Sequence, residues 1–261
     1  MKIIPRNKKF NLNANVVNDW HQDGPGVTQF LNAMSVFFPA GERFFIRSVR
    51  ALQHKAPKEM KEEISAFIGQ EAFHGREHEK LNKMLNMPQF DALLERGLEV
   101  LSEKLPKDFN LAATCALEHL TAILAQGLLE DIDTFMKSDS EFRAMWTWHA
   151  LEETEHKAVA FDVYESVVDN KVYAYVLRTL TLVIATIIFL ACLSERYTVL
   201  LHRNGQLNIK NVTGTLKFLF IKPGTFLKAI PRYIDWFRPG FHPWDHDNAF
   251  ELSKYKELLE S

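Results

Sequence analysis

Residues 146–162 read WTWHALEETEHKAVAFD, and the eight positions from His149 to His156 hold two histidines and three glutamates within an otherwise apolar segment. A helix turns through about 100° per residue, so His149, Glu152, Glu153 and His156 leave it on one side, within an arc of roughly 100°. Packing does not require that density of ionisable groups. Glu153 and His156 have the Glu-x-x-His spacing by which one helix offers a carboxylate and an imidazole to the same metal ion.

A second pair of that spacing, Glu71 and His74, lies upstream in KEMKEEISAFIGQEAFHGREHEKLNKML, which reads as a helix over 58–86 with Met60, Ile64, Phe67, Ile68 and Leu81 on its apolar face. Before it, the aromatic-rich block from Val27 predicts a short helix, a break at Pro39 and Gly41, and a longer helix from Ala40 to His54 that carries Glu42 near its start. After it, residues 88–104 are helical by pattern and Pro106 interrupts. An apolar helix over 110–137 then holds Glu118 and His119. The opening stretch belongs to a helix over 140–168 that Asp169 and Asn170 stop, and the run from Val172 to Leu193 is the most hydrophobic of the chain. No strand alternation or fixed-period repeat is present, so the class is all-α.

Three regions are expected. Residues 1–26 are a polar, irregular arm ending in DGPG, residues 27–202 a helical bundle, and residues 203–261 an extension. Between 203 and 243 the extension has seven Lys or Arg against one acid, Asp235; prolines interrupt it, and it ends in a short amphipathic helix. Over the 261 residues, 47% hydrophobic and 25% charged content is that of a globular protein with a substantial core, and a net charge of -2 gives no reason to expect a nucleic-acid partner. Cys115 and Cys192, both in apolar helical contexts, read as buried thiols in a reducing compartment. The basic N-terminal stretch lacks the apolar run of a signal peptide, so a cytoplasmic location is expected.

Collected, Glu42, Glu71, His74, Glu118, Glu153 and His156 are the donors of a carboxylate-bridged dinuclear centre in a four-helix bundle, where two helices give one Glu each and two give Glu-x-x-His. Carboxylates can bridge two cations and absorb changes in their charge, while imidazoles add neutral nitrogen donors. Glu42 alone would read as a solvated residue near a helix start. Glu118, flanked by apolar residues from Leu111 to Leu129, would not, because a buried unpaired carboxylate costs several kcal/mol. His78 and Glu152 fall on the metal-facing side. His78 is read as an outer partner or proton relay, or as a simple polar contact, and Glu152 as a hydrogen-bond partner for a ligating imidazole. His119 and Glu155 lie off that face and are expected to point elsewhere.

On these residues, the span 38–165 resembles the ferritin-like di-iron carboxylate proteins. The pattern His149-x-x-x-Glu153-x-x-His156 resembles the para-aminobenzoate N-oxygenase type, in which a third histidine one turn earlier joins the ligands, and this resemblance makes His149 a ligand too. The whole chain, with RPGFHPWDHDN at 238–248, also resembles a bacterial ferritin-like family labelled predicted metal-dependent hydrolase. The resemblances imply a ferritin-like four-helix bundle with additional helices and a C-terminal extension, and two metal ions, iron expected and manganese the alternative. The implied activity is that of an oxidoreductase using O₂ on a small organic substrate, behind an apolar lining of Phe44, Phe45, Phe73, Leu120, Ile123 and Trp148. Metal-dependent hydrolysis through an activated water is the alternative, and iron storage a third reading.

The uncharged stretch Thr179–Ser194 is 16 residues long. As a helix it spans about 24 Å, short of a usual crossing of about 20 residues. Two readings stand for it: a buried or homodimer-interface helix, or a membrane-embedded segment. The basic, aromatic-interleaved stretch 203–243 is equally consistent with peripheral contact to an anionic membrane and with a solvated basic face packed on the bundle.

Overall fold

Helix ends fall where the sequence supplies caps. Gly24, at φ 87°, turns the chain into Pro25, whose fixed φ suits a first turn, and α1 runs from Pro25 to Leu52. Asn86, in the left-handed region, closes α2 (Lys61–Leu85). Prolines precede or open α3 (Pro88–Lys104) and α4 (Lys107–Glu130). The Asp139 carboxylate accepts from the N–H groups of Glu141 and Phe142 at the head of α5 (Ser140–His156). A short α6 (Val159–Val167) follows, and Asn170 and Asn208 cap α7 (Lys171–Arg203) and α8 (Ile209–Phe220) in the same way. The chain ends in α9 (Thr225–Asp235) and α10 (Ala249–Glu260). This computed structural model describes residues 3–260 and is all-α, with no strand among the described residues.

The break expected at Pro39 and Gly41 is not there: α1 is continuous. Pro39 has no N–H to give the Ser35 carbonyl, which would ordinarily weaken the helix. The side-chain amide of Asn82, on α2, donates to that carbonyl at 3.1 Å and replaces the lost bond. The helix expected over 140–168 is instead two, parted at Lys157–Ala158, where the Lys157 ammonium reaches the His246 carbonyl and the Asn248 side chain. The helix expected over 110–137 starts earlier and stops at Glu130, before a 3₁₀ turn over Ile132–Phe135. The apolar run from Val172 to Leu193 lies within α7, which continues to Arg203.

Helices α1, α2, α5 and α4 pack in a ring: α1 on α2, α2 on α5, α5 on α4 and α4 on α1. Outside it, α7 lies on α1 and α4, α8 on α1, and α9 on α4 and α8, so the chain after residue 203 is held against the ring. Arg178 fastens it. Its guanidinium donates to the Trp236 carbonyl and sits over the Trp236 ring at 5.1 Å, while the Trp236 indole donates back to the Arg178 carbonyl at 3.2 Å. The N-terminal arm is also packed, burying Leu12, Val17 and Trp20, the last stacked on Phe142 at 5.0 Å. Cys115 is buried, but Cys192, expected to be buried too, is only half-buried on α7.

Candidate metal centre

The ring of helices points its ionisable residues inward. Glu42 (α1), His74 (α2) and His149 (α5) form one buried group, and Glu71 (α2), Glu153 and His156 (α5) a second; within each, candidate donor atoms lie within 4.8 Å of one another. Either group could hold a cation, and the two share an edge. Glu153 Oε1 is 3.0 Å from His149 Nε2, 3.6 Å from His74 Nδ1 and 3.6 Å from His156 Nε2. Glu71 Oε1 is 3.1 Å from His156 Nε2 and 3.8 Å from His74 Nδ1. These two carboxylates therefore stand between the groups, in bridging positions. Glu42 stands beside His149 at 3.9 Å, and Glu118 (α4) beside His156 at 3.3 Å, each at an outer end.

Both oxygens of Glu42, Glu71 and Glu118, together with His74 Nδ1, Glu153 Oε2 and His156 Nε2, are buried without a hydrogen-bonding partner in the protein. Buried polar groups are rarely left so. The opposite nitrogen of each imidazole is held. His156 Nδ1 donates to Gln70 Oε1 at 2.9 Å, and His74 Nε2 donates to Glu152 Oε2 at 3.0 Å. His149 Nδ1 lies 2.7 Å from His78 Nε2, and His78 Nδ1 lies 2.8 Å from the Ser35 hydroxyl, which donates to Asn82 Oδ1 at 2.9 Å. One ring nitrogen anchored from behind, with the other aimed inward among unpartnered carboxylates, is how proteins hold metal-ligating histidines. The donor set fits two ions.

Several residues of this shell carry no motif in the sequence. Arg6, from the arm, donates to Glu152 at 3.2 Å and to both oxygens of Glu155 at 2.8 Å; Gln70 also donates to Glu155, at 3.0 Å. Glu155 thus faces away from the two groups yet ties together the partners of His74 and His156. Gly75 is needed for space: a Cβ there would lie 2.8 Å from Glu42 Oε2. His119 faces the C-terminal segment, 3.2 Å from the Arg232 carbonyl and beside the Trp236 ring. Its pKa, lowered by burial to about 3, leaves it neutral.

Electrostatics show the strain that cations would relieve. Burial, then the nearby Glu71 and Glu153 charges, push Glu118 up to about 8, and burial with Glu71 raises Glu42 well above the carboxylate range. Burial opposes charge on His74, but its bond to Glu152 and the nearby Glu153 and Glu71 carboxylates outweigh that and push it up to about 10. Burial and the neighbouring His74 hold His149 down to about 4. Such opposed displacements arise where like charges are confined in a low dielectric.

A narrow apolar cavity of about 90 Å³ reaches the centre at His149 and Glu153 and runs between α1, α4 and α5 to α8 and α9. Of the lining expected from sequence, Leu120 borders it, but Phe44, Phe45 and Ile123 lie in the core instead. Trp148 packs edge-on against His74, and Phe73 is half-buried under the Arg76 guanidinium. Phe73 and Trp148 each precede a site histidine by one residue, and that single step rotates a helical side chain by about 100°, onto another face. The walls are Met34, Phe38, Leu124 and Trp146 instead.

A family model described as predicted metal-dependent hydrolase matches residues 4–247. The chain belongs to that family. The match takes in the arm with Arg6, all four site helices and the C-terminal segment up to His246 and Asp247. No curated protein and no solved structure matches the chain. The family's description agrees with the hydrolytic alternative read from the sequence better than with oxidation by O₂, while the two buried groups agree with metal dependence.

Proposed function

We propose that the chain is a dinuclear metal-dependent hydrolase whose substrate reaches the centre through the apolar cavity. One observation carries the metal centre: two adjoining Glu/His groups most of whose inward atoms have no partner in the protein while their outward nitrogens are held. The family's description supports hydrolysis as the reaction. Glu42, His74 and His149 would hold one ion and Glu118 and His156 the other, with Glu71 and Glu153, which lie between the two groups, within reach of both. Bound there, the ions would acidify a water and polarise a substrate oxygen.

The chain's own residues do the rest. Glu152 and Gln70 hold the outward N–H groups of His74 and His156 and so turn their opposite nitrogens inward, where bound ions would displace any proton they carry. His78, with Ser35 behind it, can hold or pass a proton at His149 Nδ1. The walls of Phe38, Leu120 and Trp146 exclude bulk water and admit an apolar group beside the reacting bond.

Oxidation with O₂, with iron in the same ligands, is the second reading; the water-poor approach and the wholly helical Glu/His donor set favour it. The two separate cleanly. Protein loaded with Mn, Zn or Fe and assayed on aryl esters and phosphoesters should turn them over, and the activity should vanish on chelation. Silence in those assays, with a transient visible absorption when anaerobic ferrous protein meets O₂, would reject hydrolysis for oxidation. Failure to bind any metal would reject both.

A further inference from the structure

Helix α7 inverts the usual distribution of apolar surface. Val176, Leu180 and Ile187 are 54%, 50% and 63% exposed. Tyr233 bonds Thr186 at 3.1 Å and Tyr197 bonds Thr215 at 2.8 Å, which lays α9 and α8 alongside α7. These neighbours add Leu216, Leu227 and Ile234, exposed by 49%, 50% and 59%. Isolated surface leucines need no explanation, but apolar residues on three adjoining helices do.

Length does not make α7 a crossing helix. It is long and apolar enough to span a bilayer, yet its other side is buried on the bundle at both ends, from Ala174 to Leu182 and from Leu193 to Leu201, with Ala185, Thr186 and Phe189 half-buried between. From Ala174 to Leu201 is about 40 Å of helix, more than a hydrocarbon core of about 30 Å. A helix fastened along such a length to a bundle with polar surfaces lies in the plane of a membrane, its free side down. Lys210, Lys217 and Lys222, on α8 and just beyond it, are exposed and have no ion-pair partner among the described residues, whereas Lys228 and Arg232 are paired with Asp131 and Glu130. Free lysines beside an apolar face suit anionic headgroups at about 1 kcal/mol each. A two-fold pairing of this face with a second copy would instead bring both copies of these unpaired lysines into one interface.

The cavity starts behind this face. Phe189 of α7, Phe218 of α8 and Phe226 of α9 line it, and it follows α4 from Asp131 to Leu117, beside the centre. That is about 21 Å of helix. Its walls are apolar over that length, without the converging polar groups that would orient a compact polar substrate. We propose that the α7–α9 face beds on an anionic membrane and that the cavity takes the alkyl chain of a membrane lipid toward His149 and Glu153. The delivery to the centre rests on the metal-centre reading; the docking and the chain binding do not.

The test uses the full chain, metal-free and metal-loaded, with vesicles of phosphatidylcholine alone or mixed with phosphatidylglycerol. The protein should float with the anionic vesicles and much less with the neutral ones. Lys210→Glu, Lys217→Glu and Lys222→Glu together should weaken that binding at least about tenfold. Phospholipid bearing a diazirine at the end of its acyl chain should, on irradiation, label cavity residues such as Leu124 and Phe226. Leu124→Trp, which fills the cavity, should remove that labelling and leave flotation unchanged. Three results would each overturn the proposal: no flotation, labelling confined to the outer side of α7, or a dimer in solution that closes this face against vesicles. If metal-free chain floats and is labelled while no metal binds, the metal-centre reading fails and the lipid site stands.

Discussion

Helices α5 and α7 break the same rule in opposite directions. On α5, Glu152, Glu153, Glu155 and His156 are buried, while on α7 Val176, Ile184 and Ile187 face outward. Water would solvate the first set and the protein interior the second, so each helix gives up solvation that a simple exchange of faces would recover. The difference lies in what each arrangement lacks. The carboxylates of α5 and its neighbours lack positive charge, which two cations would supply; the aliphatic face of α7 lacks an apolar medium, which a bilayer would supply. Burial contrary to polarity is therefore most informative when the groups nearby show what kind of partner restores the balance.

Replacing the shared carboxylate tests the α5 side most severely. Glu153→Ala should weaken metal binding by about 100-fold or more, read by elemental analysis and competition with a chelator; two metals per chain at unchanged affinity would remove the proposed centre. Arg6→Met should be next. It leaves Glu152 and Glu155 buried without their cation, at a cost of about 3–5 kcal/mol in denaturant unfolding, and loosens His74 enough to weaken metal binding about 10- to 100-fold. The double change Arg6→Met with Glu155→Gln should recover part of the stability. Gly75→Ala forces the Glu42 carboxylate aside, with an expected loss of about 1–3 kcal/mol and reduced occupancy of the site nearest His149.

A smaller effect is set by pH. Glu118, held up to about 8, keeps a proton in the folded chain that the unfolded chain has already released, so its contribution to stability is lost as pH rises from the ordinary carboxylate range to about 8. His74, pushed up to about 10, acts in the same sense above its ordinary value. Thermal melts of chelator-treated protein should fall as pH rises from about 6 to about 9, and saturating metal should flatten that slope. Least of all, Ile187→Ser on the open face of α7 should change stability by no more than about 0.5 kcal/mol and leave metal content alone. A loss of several kcal/mol would show that this face is packed in the free protein, and the contrast with α5 would be gone.

The sequence made the centre legible wherever chemistry has a spacing. Glu71 with His74 and Glu153 with His156 are set three apart on apolar helices, and the fold brings those helices face to face. Glu118 was legible because its surroundings admit no bland reading. Arg6, Gln70 and Gly75 were not: an arginine in a basic arm, a glutamine on a helix and a glycine beside a histidine have no spacing, only positions in space. The continuity of α1 through Pro39 was hidden for the same reason, because the donor that replaces its lost bond comes from Asn82, 47 positions beyond Ser35. The walls of the cavity depend on side-chain directions, and an error of one residue around a helix exchanges Phe73 or Trp148 for its neighbours.

The bond between Arg6 and α5 also constrains how the molecule can be assembled in time. Arg6 leaves the ribosome 146 residues before Glu152 and 149 before Glu155. Throughout that interval the arm has no acid pair to settle on, and α1 and α2 can associate while their share of the ligands stays open to water. Only when α5 has emerged can the arm close behind it and draw the two histidines into register. Metal uptake at the proposed centre would then come late in the birth of the chain, after both ends of this clasp exist, and a bulky group fused ahead of Arg6 would be felt first at that centre, far along the chain from where it was added.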